Sequence, residues 1–417
     1  MDAGGTERSV GVEGTGERDE VRGADAGVSF GVDSNLIAVL AALPYAVVPV
    51  VTVLRVRTSR HLRDESGTAP ADAPLVSVVI PARNEAHNIQ RCVQSALATT
   101  YPSIEVIVVD DHSADGTGEI ARKISSEDAR VRVVDNEPLP DGWFGKQWAC
   151  DNGARASTGE IILFADADTV LAPDLITRSV NAMARTGADL FTVAGAQEIV
   201  TIWEKLIQPQ IFAIMATRYG GTESMTRSRA VSSKIANGQC MFFRRSTYEE
   251  MGGHGIVKSY VAEDMQLAQK YFLAGKSVVG MLGIDQLSTR MYTTLRELIE
   301  GWGKNTFAAG LDSVPLGKLG RAMFPVTLPL TPLTGFAPAL VLLASLFLAV
   351  PGALMLWAAI AQVCLLLWWL YVYWMIGESP LLAFLSPAGA AMTFYIFVRA
   401  VLRGRNVRWK GREYRSA

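Results

Sequence analysis

Ile161-Ile162-Leu163-Phe164-Ala165-Asp166-Ala167-Asp168 is the stretch on which the reading of this chain turns. Four apolar residues in a row read as a short buried strand, and two carboxylates one residue apart follow it at once. Parallel α/β sheets bind ligands beyond the carboxyl ends of their strands. Alternate residues of extended backbone point the same way, so Asp166 and Asp168 can share one hard divalent cation. Mg²⁺ or Mn²⁺ suits such all-oxygen ligands and keeps coordination positions for phosphate. The competing reading is a helix cap, because Asp is common just ahead of a helix and one begins near Asp174.

Upstream of this strand, short β-rich runs alternate with helical stretches: strands at 75–80, 104–109 and 131–134, helices at 86–98, 117–126 and 147–156. Such alternation predicts βαβ units and a mainly parallel sheet covered by helices. Right-handed crossovers bring the loops after each strand to one edge. Those loops are Pro81-Ala82-Arg83-Asn84-Glu85, Asp110-Asp111-His112-Ser113-Ala114-Asp115-Gly116-Thr117 and Asp166-Ala167-Asp168, with Gly145-Lys146-Gln147-Trp148 between. Acidic loops gathered at one edge repel one another unless positive charge or N–H donors lie between them. Further on, 238–245 reads as a strand and turn, and Glu263-Asp264 opens a helix to about residue 273. The stretch 294–309 lines up Leu295, Leu298, Ile299, Trp302 and Phe307, either on a membrane surface or against the protein core.

Composition bounds the rest. A chain of 417 residues exceeds one ordinary domain, and its charge is concentrated between residues 55 and 322. Residues 36–54 carry no charge, and 323–402 are almost wholly apolar; about 20 apolar residues suffice to span a bilayer. Arg55, Arg57, Arg60 and Arg63 follow the first apolar run, whereas a secretory signal has its positive charge before it. By the positive-inside tendency these arginines put the following domain in the cytoplasm of a multi-pass protein of the cell membrane. The first 34 residues hold eight acids against three arginines and read as a disordered head. Scattered Cys92, Cys150, Cys240 and Cys364 show neither disulfide nor zinc spacing. A net charge of -2 leaves no footprint for nucleic acid.

Four motifs in fixed order resemble family 2 glycosyltransferases of the GT-A fold over roughly residues 75–290. They are Val76-Ser77-Val78-Val79-Ile80-Pro81 with Asn84-Glu85, Val109-Asp110-Asp111 with Ser113 and Asp115-Gly116-Thr117, Asp166-Ala167-Asp168, and Glu263-Asp264. The resemblance implies an α/β, Rossmann-like domain with a mainly parallel sheet, flanked here by transmembrane helices, and a nucleotide diphospho-sugar donor. It places Pro81, Glu85 and Asp111 around base and ribose, Asp166 on the donor, and Asp168, with Asp166, on a Mg²⁺ or Mn²⁺ ion bridging the diphosphate. Lys146 adds positive charge on the phosphates. Asp264 is similar to the family's base for the acceptor hydroxyl, and the family inverts the anomeric carbon. Glu263 reads as a helix cap, or as a like charge that raises Asp264.

The stretch 138–150, from Pro138 to Cys150, and the ending Trp409-Lys410-Gly411-Arg412-Glu413-Tyr414 are similar to a membrane-anchored branch associated with carotenoid or hopanoid glycosylation. Processive synthases of the superfamily carry Gln-x-x-Arg-Trp after the base; here 298–305 keeps only Trp302. That favours a single transfer to a membrane lipid, with Gln239, Trp302 and Lys304 on the acceptor side. Rival readings are transfer to a polyprenyl phosphate, polysaccharide synthesis, and a catalytically silent membrane scaffold. The scaffold is disfavoured because it needs none of Asp166, Asp168 and Asp264.

The expected organisation is a disordered head (1–34), a membrane helix (35–54), a basic linker (55–74), the GT-A domain (75–290), an interfacial helix region (291–322), about three membrane segments (323–402) and a basic tail (403–417). The three segments are 333–350, 353–376 and 381–402, with Pro325, Pro329 and Pro332 as a possible broken or re-entrant entry. Three crossings put the tail outside, while its arginines put it inside. Its side stays open on sequence alone.

Overall fold

The computed structural model describes residues 33–409 and 412–415, with residues 1, 4 and 6. The expectation of a disordered head lies outside these residues. Ten strands build the domain: β1 (Val76–Ala82), β2 (Ile104–Asp110), β3 (Val131–Asp135), β4 (Ile161–Ala165), β5 (Thr169–Leu171), β6 (Leu190–Ala194), β7 (Ala196–Gln197), β8 (Cys240–Arg244), β9 (Val278–Leu282) and β10 (Leu287–Thr289). A hairpin of β11 (Asn406–Trp409) and β12 (Arg412–Arg415) ends the chain.

The helices are α1 (Ser34–Val56), α2 (Ile89–Leu97), α3 (Thr117–Glu127), α4 (Gly145–Ala156), α5 (Leu175–Thr186), α6 (Ile202–Tyr219), α7 (Thr222–Arg227), α8 (Arg245–Glu250), α9 (Glu263–Leu273), α10 (Leu295–Ser313), α11 (Gly317–Ala344), α12 (Gly352–Met375) and α13 (Ser386–Arg403).

The main sheet has seven strands in the order β3-β2-β1-β4-β8-β6-β9. Neighbours among β1 to β4 pair parallel, and β8 runs antiparallel to both β4 and β6. Strands covered on both faces read as continuous apolar runs, which is why β1 and β4 lack alternation. Val78 and Ile80 of β1 pack with Cys92, Val93 and Val180 under α2 and α5. Val79 points the other way, among Ala149, Cys150 and Leu267 of α4 and α9. The chain moves outward from β1 through β2 to β3, then returns to place β4 on the other side of β1. That reversal opens a crevice at the strands' carboxyl ends.

Four helices among the described residues are long and apolar enough to cross a membrane: α1, α11, α12 and the stretch Pro380–Arg403 that contains α13. The first C-terminal one differs from expectation. It starts at Gly317 and runs unbroken through Pro325, Pro329, Pro332 and Pro338. Proline is tolerated in such helices where neighbours and hydroxyls support the backbone. Here α12 and α13 pack alongside, and Thr331 Oγ1 donates back to the carbonyl of Thr327 (3.2 Å).

The far ends of this bundle return to the domain. Lys205 of α6 pairs with Glu378 (2.7 Å), and its carbonyl accepts from Tyr373 Oη (2.9 Å). Gln210 donates to the carbonyl of Ser386 at the start of α13 (3.1 Å). Ile396 and Phe397 pack with Ile207, Ile211, Leu298 and Trp302, so α10 buries its apolar side against α6 and α13. Beyond α13, Arg412 reaches Asp111 at the end of β2. The tail therefore lies on the domain's side, the point that charge and segment count left in conflict.

Candidate active site

Two loops at the carboxyl ends of β1 and β2 are tied to each other. Asn84 adopts a left-handed backbone (φ 52°), its N–H donates to Ser113 Oγ (3.0 Å), and its Oδ1 accepts from Ala114 N (2.9 Å). Asp115 accepts from the N–H groups of Ala86 (3.0 Å) and Thr117 (3.1 Å), and Thr117 Oγ1 accepts from Glu85 N (2.8 Å). The Asn84, Ser113 and Asp115-Gly116-Thr117 motif thus serves as a latch that holds Glu85 and Asp111 at one rim.

Asp111 is 2% exposed. Asn136 donates to its Oδ1 (3.0 Å), and Arg83 Nη1 stands 3.7 Å from Oδ2. Arg412 Nη1 donates to Oδ2 at 2.6 Å. Neither Asn136 nor Arg412 carried a role in the sequence reading; the resemblance of the ending at 409–414 was the signal that could have pointed to Arg412.

After β4 the chain makes a tight turn in which the carbonyl of Asp166 accepts from Thr169 N (3.1 Å) and Oγ1 (2.7 Å). The next element is β5, and Asp174 heads α5 without a side-chain capping bond, so Asp166 and Asp168 are not helix caps. Lys146, in the first turn of α4, places Nζ 2.8 Å from Asp166 Oδ1 and 2.8 Å from Glu263 Oε1. Burial alone lowers a lysine's pKa, yet these two carboxylates hold it well above its ordinary value. The same bridge outweighs burial at Glu263 and keeps its carboxyl low. Glu263 is thereby corrected: its side chain is engaged by Lys146, while Ala262 occupies the cap position of α9.

Asp168 lacks such a cation. Its Oδ1 is buried with no hydrogen-bond partner. Burial, then the charges of Asp166 and Glu85, push its carboxyl up to about 8. Asp264, beside Glu263, accepts from Gly238 N (2.9 Å) and Met265 N (2.7 Å). Burial and then the Glu263 charge push it up to about 6. A Cβ on Gly238 would lie 3.0 Å from Asp264 Oδ2, so only glycine allows this approach without displacing the carboxylate.

All residues singled out in the sequence line one cavity of about 2370 Å³: Pro81, Glu85, Asp111, Lys146, Asp166, Asp168, Gln239, Asp264, Trp302 and Lys304. The carbonyl of Gln239 accepts from Asp166 N (3.3 Å), linking β8 to the acidic turn. Beyond Trp302 the cavity continues between the apolar helices, past Leu328, Trp368, Trp369 and Phe397. Among the described residues no three His, Cys, Asp or Glu side chains cluster as a metal cage. A cation here must complete its shell from a ligand and water, as Mg²⁺ commonly does.

Residues 77–252 match the family described as Glycosyl transferase family 2. It is 30% identical over 243 residues to a 4,4'-diaponeurosporenoate glycosyltransferase of Staphylococcus haemolyticus, covering 57% of this chain and 62% of that one. It is 28% identical over 248 residues to glycosyltransferase AglE of Haloferax volcanii, covering 52% of this chain and 77% of that one. The chain thus spans under two thirds of the first of these relatives. A mannosyltransferase from Pyrobaculum calidifontis, solved in complex with GDP-Man and Mn²⁺, superposes with a TM-score of 0.58 at 19% identity over 89% of this chain and 98% of that one. The fold is GT-A.

Proposed function

We propose that this chain is an inverting, metal-dependent glycosyltransferase that moves a sugar from a nucleotide diphospho-sugar to a hydroxyl of a membrane lipid of carotenoid, hopanoid or glycolipid type. The observation that carries the reading is the single cavity running from Asp166, Asp168 and Asp264 to the apolar helices at Leu328, Trp368 and Phe397. A water-soluble donor enters at one end and an acceptor dissolved in the bilayer at the other. The relatives named diaponeurosporenoate glycosyltransferase support an apolar acceptor.

Asp264 is the base. Its two N–H donors orient the carboxylate, and its raised pKa makes it a better proton acceptor than an ordinary aspartate while it stays ionised near neutrality. It takes the acceptor hydroxyl's proton as that oxygen attacks the anomeric carbon, and one displacement inverts the centre. Lys146 holds Asp166 and Glu263 in place and presents positive charge to the donor. The orphaned Asp168 oxygen fits a divalent cation, with Asp166 as its neighbour in the donor set. When bound, Mg²⁺ or Mn²⁺ supplies positive charge where the nucleoside diphosphate leaves.

The same reading makes the protein a multi-pass protein of the cell membrane with its domain cytoplasmic, supported by Arg55, Arg57, Arg60 and Arg63 after α1. A chain that leaves the domain at α11 and returns to it at Arg412 crosses an even number of times. We assign those crossings to α11 and α12. The helix α13, tied to Gln210 at its start and followed by the docked Arg412, lies along the domain.

The test is to incubate membranes holding the protein with a panel of nucleotide sugars and Mn²⁺, then extract the lipids for mass spectrometry. A lipid gaining one hexose mass, lost with EDTA and with Asp264→Asn, is expected. No sugar-bearing lipid from any donor would sink the reading.

A further inference from the structure

We propose that the C-terminal hairpin completes the nucleotide side of the donor site, with Arg412 as a donor-positioning residue acting through Asp111; this rests on the glycosyltransferase reading above. A carboxylate as buried as Asp111 must be paired and hydrogen-bonded. From the domain itself it receives Asn136 Nδ2 at 3.0 Å and the more distant Arg83. Arg83 spends Nη1 chiefly on the backbone carbonyl of Asp111, at 2.5 Å. The nearest cation comes from 301 residues further along the chain: Arg412 Nη1 donates to Oδ2 at 2.6 Å and Nη2 to Oδ1 at 3.4 Å.

That fork does two things a single ammonium cannot. It fixes the carboxylate plane, because two N–H groups of a rigid guanidinium meet two oxygens. It also leaves Oδ2 a lone pair to accept an N–H or O–H from a nucleoside, since an ionised carboxylate offers about four acceptor sites and the two on Oδ1 are taken by Asn136 and Arg412 Nη2. Arg83 and Arg412 both face Asp111 at this end of the crevice, while Asp166, bound by Lys146, and Asp168 stand at the other. A nucleoside diphosphate lying along the crevice meets the oriented Asp111 carboxylate at one end and the cation-seeking Asp168 at the other. The hairpin that brings Arg412 follows on α13, so the C-terminal part of the chain supplies a piece of the donor site.

The test uses the full chain purified in detergent, as wild type, Arg412→Gln and Arg412→Lys, with a panel of nucleoside diphosphates in the presence of Mn²⁺. Expected for Arg412→Gln is a rise of about tenfold or more in nucleotide Kd and donor KM, the size of one lost charge-assisted hydrogen bond. At saturating donor, kcat stays within about twofold. Arg412→Lys recovers part of the affinity, and adding Arg412→Gln to Asp111→Asn costs nothing further, because the two act as one unit. Unchanged or tighter nucleotide binding in Arg412→Gln overturns the proposal while leaving the glycosyltransferase reading intact. Wild type that binds none of the nucleotides removes both.

Discussion

At the nucleotide end of the cavity, Asn84, Ser113, Asp115 and Thr117 lock two loops together with hydrogen bonds of about 3 Å, and Asp111 is clamped by Asn136 and Arg412. At the acceptor end, Trp302, Leu328 and Phe397 come from three separate helices and meet through apolar contacts, and Trp368 of a fourth lines the same cavity. The first wall is directional and intolerant of small displacements. The second is shaped by packing, which accepts volume-conserving change. On the proposed function, specificity for the donor resides in a few polar atoms, and specificity for the lipid in the outline of a groove.

The sharpest break of this contrast is at the seam between the walls. Asp264→Asn is expected to reduce transfer about a thousandfold, within the range for loss of a general base, with nucleotide affinity retained in calorimetry. Near-normal turnover would move the base elsewhere. Asp168→Asn is expected to cost about a hundredfold or more in transfer. Above pH 8, where the Asp168 carboxyl is ionised, the same change raises the melting temperature of the metal-free protein by about 2–4 °C, because a buried charge with an unpartnered oxygen is removed. A lower melting temperature would show that Asp168 is satisfied after all.

Lys146→Met leaves Asp166 and Glu263 facing each other without their cation. Breaking a buried pair of this kind costs on the order of 3 kcal/mol, read as a lower denaturation midpoint. Adding Glu263→Gln to that variant recovers part of the loss. If the double variant is no more stable than Lys146→Met, the bridge is not what holds the two acidic segments together.

As the proposed base, Asp264 is expected to set a pH dependence. Its carboxyl is raised from 3.8 to about 6, so kcat/KM climbs as pH rises through about 6 and then levels off. Stability runs the other way: the folded state holds this proton more tightly than the unfolded chain, so this group's contribution is fully present below 3.8 and declines as pH rises to about 6. A profile with no acidic limb would remove Asp264 from proton transfer. The mildest effect falls on the packed wall. Leu328→Ala is expected to change acceptor KM severalfold and to leave donor KM alone, as removing apolar contact in a groove does.

Much of the domain was legible because its signals are local. Continuous apolar runs marked β1, β2 and β4, and Glu263–Leu273 is helical over the span that its pattern indicated. Other features needed the fold. Glu263 looked like a cap because Asp and Glu favour first turns, yet Lys146 lies within reach only once α4 and α9 pack on the same face of the sheet. The prolines at 325, 329 and 332 suggested a break, while the neighbouring helices keep α11 continuous. The Asp115-Gly116-Thr117 motif carried no hint that its role is to hold a neighbouring loop.

Sequence by itself determined the order of strands and helices, the acidic loops at one edge and the apolar length of four helices, since each follows from periodicity or spacing within a short window. Only the tertiary structure decided that Lys146 bridges Asp166 and Glu263, that Oδ1 of Asp168 is left without a partner, that α10 rests on α6 and α13, and that the tail returns to Asp111. Those outcomes depend on which of several possible charges and apolar faces meet across separations of up to 301 residues. Packing of the whole chain makes that choice.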